Sequence, residues 1–66
     1  MESYRITTIG QFTINFSPKS PRNKQYLLTI ASGRWMNEVV HICATFKAAE
    51  RFAKQHKVNP ITAEVY

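Results

Sequence analysis

Phe12, Ile14 and Phe16 alternate with Thr13 and Asn15, the period-two pattern of a strand with one face buried. The alternation closes a longer stretch, residues 4–16, rich in Ile, Thr, Phe and Tyr. Gly10 interrupts this run, and a bend there would let residues 4–9 change direction. Residues 26–31 and 39–44 read as further strands. In the latter, Val40, Ile42 and Ala44 share one face, expected in the core, and Val39, His41 and Cys43 share the other.

The period then changes. Phe46, Ala49, Phe52, Ala53 and His56 fall on one stripe of a helix over 46–57, while Lys47, Glu50, Arg51 and Lys54 lie off it. Thr45 is placed to cap its first turn. Lys54 follows Glu50 by four residues, a favourable helical spacing, and Lys54 and Lys57 stand near the negative helix end. Asn59 and Pro60 stop the helix. Ile61, Ala63 and Val65 alternate into a last short strand.

These elements predict one α+β domain over residues 1–66. Its mostly antiparallel sheet of three or four strands follows the order β-β-β-α-β, with one helix packed on one face. If the strands flanking the helix share the sheet, the helix is a right-handed crossover. The expected core is Phe12, Ile14, Phe16, Leu28, Ile30, Val40, Ile42, Phe46, Ala49, Phe52, Ala53 and Val65. No second helix covers the other sheet face, which is therefore solvated or a binding surface.

Residues 17–25 read SPKSPRNKQ; two prolines, two serines and three positive charges predict a mobile basic loop. Lys and Arg outnumber Asp and Glu by nine to four, for a net charge of +5. That balance suits an acidic partner such as nucleic acid, an anionic membrane or an acidic protein face, and equally serves solubility. A single cysteine excludes an internal disulfide, and no leader or membrane-length apolar run is evident, so a cytoplasmic location without membrane association is expected.

Few enzymes fit. His41 and Cys43 are two apart on a strand, but the chain has no Asp and only two glycines, Gly10 and Gly33. A thiol nucleophile with an oriented base and an oxyanion loop is therefore not expected. One Cys with His41 and His56 lacks zinc-ligand spacing, and the four glutamates are scattered. No catalytic residue, metal or cofactor is expected.

The candidate binding residues are Lys19, Arg22 and Lys24 in the loop, Arg34 and Trp35 in the next turn, and Lys47, Arg51 and Lys54 on the helix. In an up-and-down order the loop shares an end with the helix N-terminus, and Arg34 lies at the other end with Lys54 and Lys57. The cations thus form two zones. Trp35 beside Arg34 is the best-placed aromatic for base stacking.

Two resemblances bear on function. GRW leading into a strand, then TFKAAERFA, resembles the three-stranded DNA-binding domains of the integrase arm and plant AP2 type over about residues 26–55. Arg34, Trp35, Phe46, Ala48 and Ala49 carry it. The strand before Thr45–Phe46, then Ala48–Ala49, Ala53, a Pro-containing turn and an ending at Val65, resembles small phage strand-helix-strand proteins, the podophage inhibitor of host RNA polymerase among them. The second implies a non-catalytic protein that occupies a surface of a larger machine.

The expected function is therefore a small interaction protein, phage-encoded if the resemblance holds, that binds and modulates or inhibits a host protein or nucleoprotein complex. The alternative is a basic module contacting DNA or RNA phosphates through the 17–25 loop and the helix. Homodimerisation through a strand edge or the open face is compatible with either.

Overall fold

The structure, a computed structural model, describes residues 3–66. Four strands come first: β1 (Tyr4–Ile9), β2 (Phe12–Phe16), β3 (Tyr26–Ile30) and β4 (Val39–Cys43). Helix α1 (Phe46–Gln55) follows, and a 3-10 turn at Arg22–Lys24 lies between β2 and β3. The strands form one antiparallel meander in the order β1-β2-β3-β4. The protein is an α+β fold with a single layer of sheet behind one helix.

Gly10, at φ +58°, joins β1 to β2 between the paired residues Ile9 and Phe12. Such a two-residue hairpin turn needs positive φ at its first position, which glycine adopts at no steric cost. Register then sets the faces. Phe12, Ile14 and Phe16 stand opposite Ile30, Leu28 and Tyr26, and this row faces the helix. Phe12, Ile14 and Leu28 are fully buried against Ala49 and Ala53 of α1. Alanines at the contact let the helix axis approach the sheet, while Phe52 meets Phe12 edge-on at 5.7 Å. Thr45 is extended, at φ −134° and ψ 158°, and its Oγ1 accepts the Ala48 amide at 3.2 Å. This is the N-cap that the sequence predicts.

Two expectations are corrected. In β4, His41 and Cys43 stand opposite Leu28 and Tyr26 and so face the helix; Ile42 stands opposite Leu27 on the outward face and is 48% exposed. A register shift between Leu28 and Thr29 accounts for part of the change. It leaves Val39 opposite Thr29, outward, while Val40 still packs against the core. A one-residue irregularity breaks the strict alternation assumed from sequence.

The last segment also departs from expectation. It adds no strand to the sheet; Val65 makes an isolated antiparallel bridge to Val58 instead. Lys57 and Tyr66 exchange both backbone hydrogen bonds at 2.8 Å, and Asn59 N–H donates to Glu64 O at 2.8 Å. Residues 57–66 thus close on themselves as a small hairpin, turned at 60–63 with Ala63 at φ +63°. No crossover forms because the chain folds back as soon as the helix ends. This hairpin inserts Val58, fully buried, into the core, and the Val58 amide donates to Gln11 Oε1 at 3.0 Å.

Residues 17–25 bond within themselves. Ser17 N–H donates to Gln25 O at 2.7 Å, Lys24 N–H to Pro21 O at 2.8 Å, and Ser20 Oγ–H to Ser17 Oγ at 2.8 Å.

The β3–β4 loop and the C-terminal hairpin are clasped together. Trp35 Nε1–H donates to Ile61 O at 2.6 Å. Gly33 sits at φ +104°, where a Cβ would stand 2.6 Å from Pro60 Cβ. Gly33→Ala therefore combines a disfavoured backbone with a clash against a rigid ring. It should cost about 1–3 kcal/mol, a fall of roughly 5–20 °C in melting temperature for a domain of this size. Circular-dichroism melting checks this; a fall below about 2 °C would mean that the loops separate freely.

Candidate functional site

The outward sheet face divides into two halves. Over β2 and the adjoining parts of β1 and β3 it carries Thr8, Thr13, Asn15 and Thr29, which bond to one another. Asn15 Nδ2 donates to Thr29 Oγ1 at 3.0 Å and to Thr13 O at 3.2 Å, and the Thr8 and Thr13 hydroxyls meet at 3.3 Å. Side chains hydrogen-bonded in this way can face water without a cover.

The half over β3 and β4 is apolar. Leu27 is nearly buried there, with Ile42 beside it by register and Val39 opposite Thr29. Ile42 is 48% exposed and Val39 45%. The loop entering β4 adds Trp35 and Met36, and the clasp brings in Ile61; these three are also exposed. Val39 and Ile42 thus share the outward face with Leu27, and Trp35, Met36 and Ile61 are exposed in the loops at the N-terminal end of β4. Scattered exposed apolar residues are ordinary, but a gathered set marks a contact surface. Arg34 belongs to the same end, its guanidinium carbon 5.8 Å from the Trp35 ring centroid, within cation–π reach.

Of the residues singled out from sequence, Arg34 and Trp35 are thus brought together beside this edge. Lys19, Arg22 and Lys24 lie at the other end of the sheet, where β4 leads into α1 and the 3-10 turn packs near β4. Lys47 opens the helix at that end. Arg51 and Lys54 continue along its exposed face. The two-zone reading of the cations follows the strand order. Val39 lies on the outward face as the strand pattern predicts; the exposure of Ile42, Met36 and Ile61 is not legible in the sequence, because an apolar residue on a strand or in a turn carries no mark of which face it will occupy.

A three-ring stack ties β4 to the helix. Phe52 lies 3.8 Å from His41, at an interplanar angle of 7°, and 4.2 Å from His56, at 21°. Two near-parallel rings so close must take opposite faces of Phe52. Burial, and then repulsion from His56, lower the His41 pKa below its ordinary value. The folded state then binds protons less readily than the unfolded one. Stability is accordingly present above the ordinary histidine pKa of about 6.5 and is lost as pH falls through and below it. Melting at pH 7.5 and 5.0 should show a lower midpoint in acid, and His41→Gln should shrink that difference; an equal difference in both proteins would remove His41 as the cause.

Burial raises the Cys43 thiol pKa, which disfavours the thiolate a nucleophile needs. His41 is engaged by Phe52 beside it. Among the described residues, no group of three or more His, Cys, Asp or Glu is placed to hold a metal ion, and no helix is long and apolar enough to cross a membrane.

No protein-family model matches the chain, and no similar protein was found among curated sequences or solved structures.

Proposed function

We propose that this is a non-catalytic interaction protein that docks on a larger protein or nucleoprotein assembly through the apolar half of its outward sheet face and so modulates it. The observation that carries this reading is the placement of the exposed Ile42 and Val39 on the side away from the helix, where Ile42 stands opposite Leu27. Apolar side chains that share an uncovered sheet face are the kind of set a contact surface carries. The buried thiol and the engaged histidine agree with a role without covalent chemistry. The resemblance to small phage inhibitors suggests a phage origin and a host machine as the target, and the net charge suits a partner with an acidic rim.

The test is capture of partners from a bacterial lysate at moderate salt, with and without nuclease, by the wild-type protein and a Trp35→Ala variant. One stoichiometric protein that survives nuclease and is lost with Trp35→Ala supports docking. Recovery that disappears with nuclease, together with direct binding of purified oligonucleotides, favours the rival reading: phosphate contact through the 17–25 loop and the helix. That rival is motivated by Lys47 lying at the same end as Lys19, Arg22 and Lys24.

A further inference from the structure

A cleft of about 580 Å³ opens between the Gly10–Gln11 turn, the last turn of α1 and Tyr66, with Lys54, His56 and Lys57 in its lining. A second depression of about 300 Å³ runs along the outward helix face among Lys47, Glu50, Arg51 and Lys54. Lys54 and Gln55 line both. The two depressions thus adjoin at these side chains and form an interrupted trough beside the helix, from Lys47 in its first turn to Lys57 past its end, roughly 15 Å at the helical rise.

The charge along this trough is unbalanced. Lys47, Arg51, Lys54 and Lys57 are opposed by Glu50 and by the half charge, about −0.5, of the helix C-terminus. Lysines there partly serve to offset that helix end. A free α-carboxylate on Tyr66 would offset one more cation, and positive charge would still be in excess. At the end of the trough, Tyr66 is 70% exposed yet held in place, since its backbone exchanges two hydrogen bonds with Lys57. Cations in a line ending at an anchored, exposed aromatic residue suit a chain of phosphates with bases that can stack. They suit a rigid duplex less well, because its bases are already stacked inside.

We propose that this trough binds single-stranded nucleic acid, its phosphates on Lys47, Arg51, Lys54 and Lys57 and a base on Tyr66. The proposal is independent of docking through the sheet. It narrows the rival nucleic-acid reading, phosphate contact through the 17–25 loop and the helix, to the helix and the segment after it.

The experiment is fluorescence anisotropy with a labelled oligothymidylate of about twelve nucleotides, within the length range such proteins occupy. It is run over a salt series against a duplex of equal length and against polyglutamate as competitor. Lys54→Gln with Lys57→Gln should weaken binding and flatten the log–log salt slope by roughly 1.4, at about 0.7 per phosphate contact. Tyr66→Leu should cost on the order of ten-fold in affinity and leave the slope unchanged. Reversing Lys19, Arg22 and Lys24 to Glu should change the affinity far less than the double lysine variant does. These side chains are exposed, and circular dichroism confirms that each variant is folded. Absence of binding at low salt overturns the proposal, as does equal affinity for duplex, equal competition by polyglutamate, or indifference to Tyr66→Leu. Loss of binding on reversal of the loop alone would overturn the trough and leave the loop reading standing.

Discussion

Phe12→Ala is expected to remove about a third or more of the folding free energy of the chain. Phe12 is fully buried at the centre of the helix-facing row, paired with Ile30 across the sheet and edge-on to Phe52. Removing a buried phenylalanine costs about 3–5 kcal/mol, through lost transfer energy and the cavity left behind. At roughly 0.05–0.15 kcal/mol per residue, a domain of this size has only about 3–10 kcal/mol in total. The substitution therefore removes from a third to all of the stability. The site has little scope to relax, because Ala49 and Ala53 already bring the helix close and cannot extend into the gap. Phe16→Ala, at a half-buried position in the same row, should cost clearly less. Urea and thermal unfolding followed by circular dichroism measure both. A Phe12→Ala protein that melts within about 5 °C of wild type would show that the core is not organised around this ring.

Ile42→Glu is expected to abolish partner capture and leave the fold intact. The side chain is about half exposed on the outward face, so the fold loses little burial. The residual cost is that of a glutamate in a strand, within about 1 kcal/mol. At a protein interface the same change places an unpaired carboxylate in the apolar centre. Interface positions of this kind carry about 2 kcal/mol or more, some thirty-fold in affinity. Stability and binding should separate: a melting temperature within a few degrees of wild type, and capture reduced at least ten-fold. Had Ile42 been in the core, as the strand pattern alone suggests, the variant would unfold instead. Unfolded Ile42→Glu, or Ile42→Glu that captures its partner as wild type does, would remove β4 from the docking surface.

That contrast shows where sequence reading works for this chain. The Phe12–Ile14–Phe16 alternation, the break at Gly10, the Thr45 cap and the stripe from Phe46 to Ala53 are local signals, and each is found in the structure. The facing of β4 is not local. His41 turns inward because Phe52, eleven residues on, offers it a ring face, and Ile42 turns outward as the price of that pairing. Hydrophobicity alone ranks isoleucine above histidine for the core and so reverses residues 41–43, while Val39 and Val40, before the register shift, face as the pattern predicts. Val58 was overlooked because it follows the helix in a segment with no periodicity. Its burial depends on Gln11, on a distant turn, accepting its amide. The candidate sites divide in the same way. Charges are visible as letters, but only the strand order groups them, with Lys54 and Lys57 beside Tyr66 and away from Lys19, Arg22 and Lys24. The apolar edge could not be read at all without knowing which side of β4 faces the helix.

Docking through the outward half of β3 and β4, as proposed above, has a direct signature in backbone protection. Amide hydrogen exchange, read by mass spectrometry on the protein alone and bound to its captured partner, tests this most directly. Added protection is expected in residues 35–43 and around Ile61, with residues 17–25 unchanged. Protection confined to residues 17–25 and 47–57, with β4 exchanging as in the free protein, would contradict it.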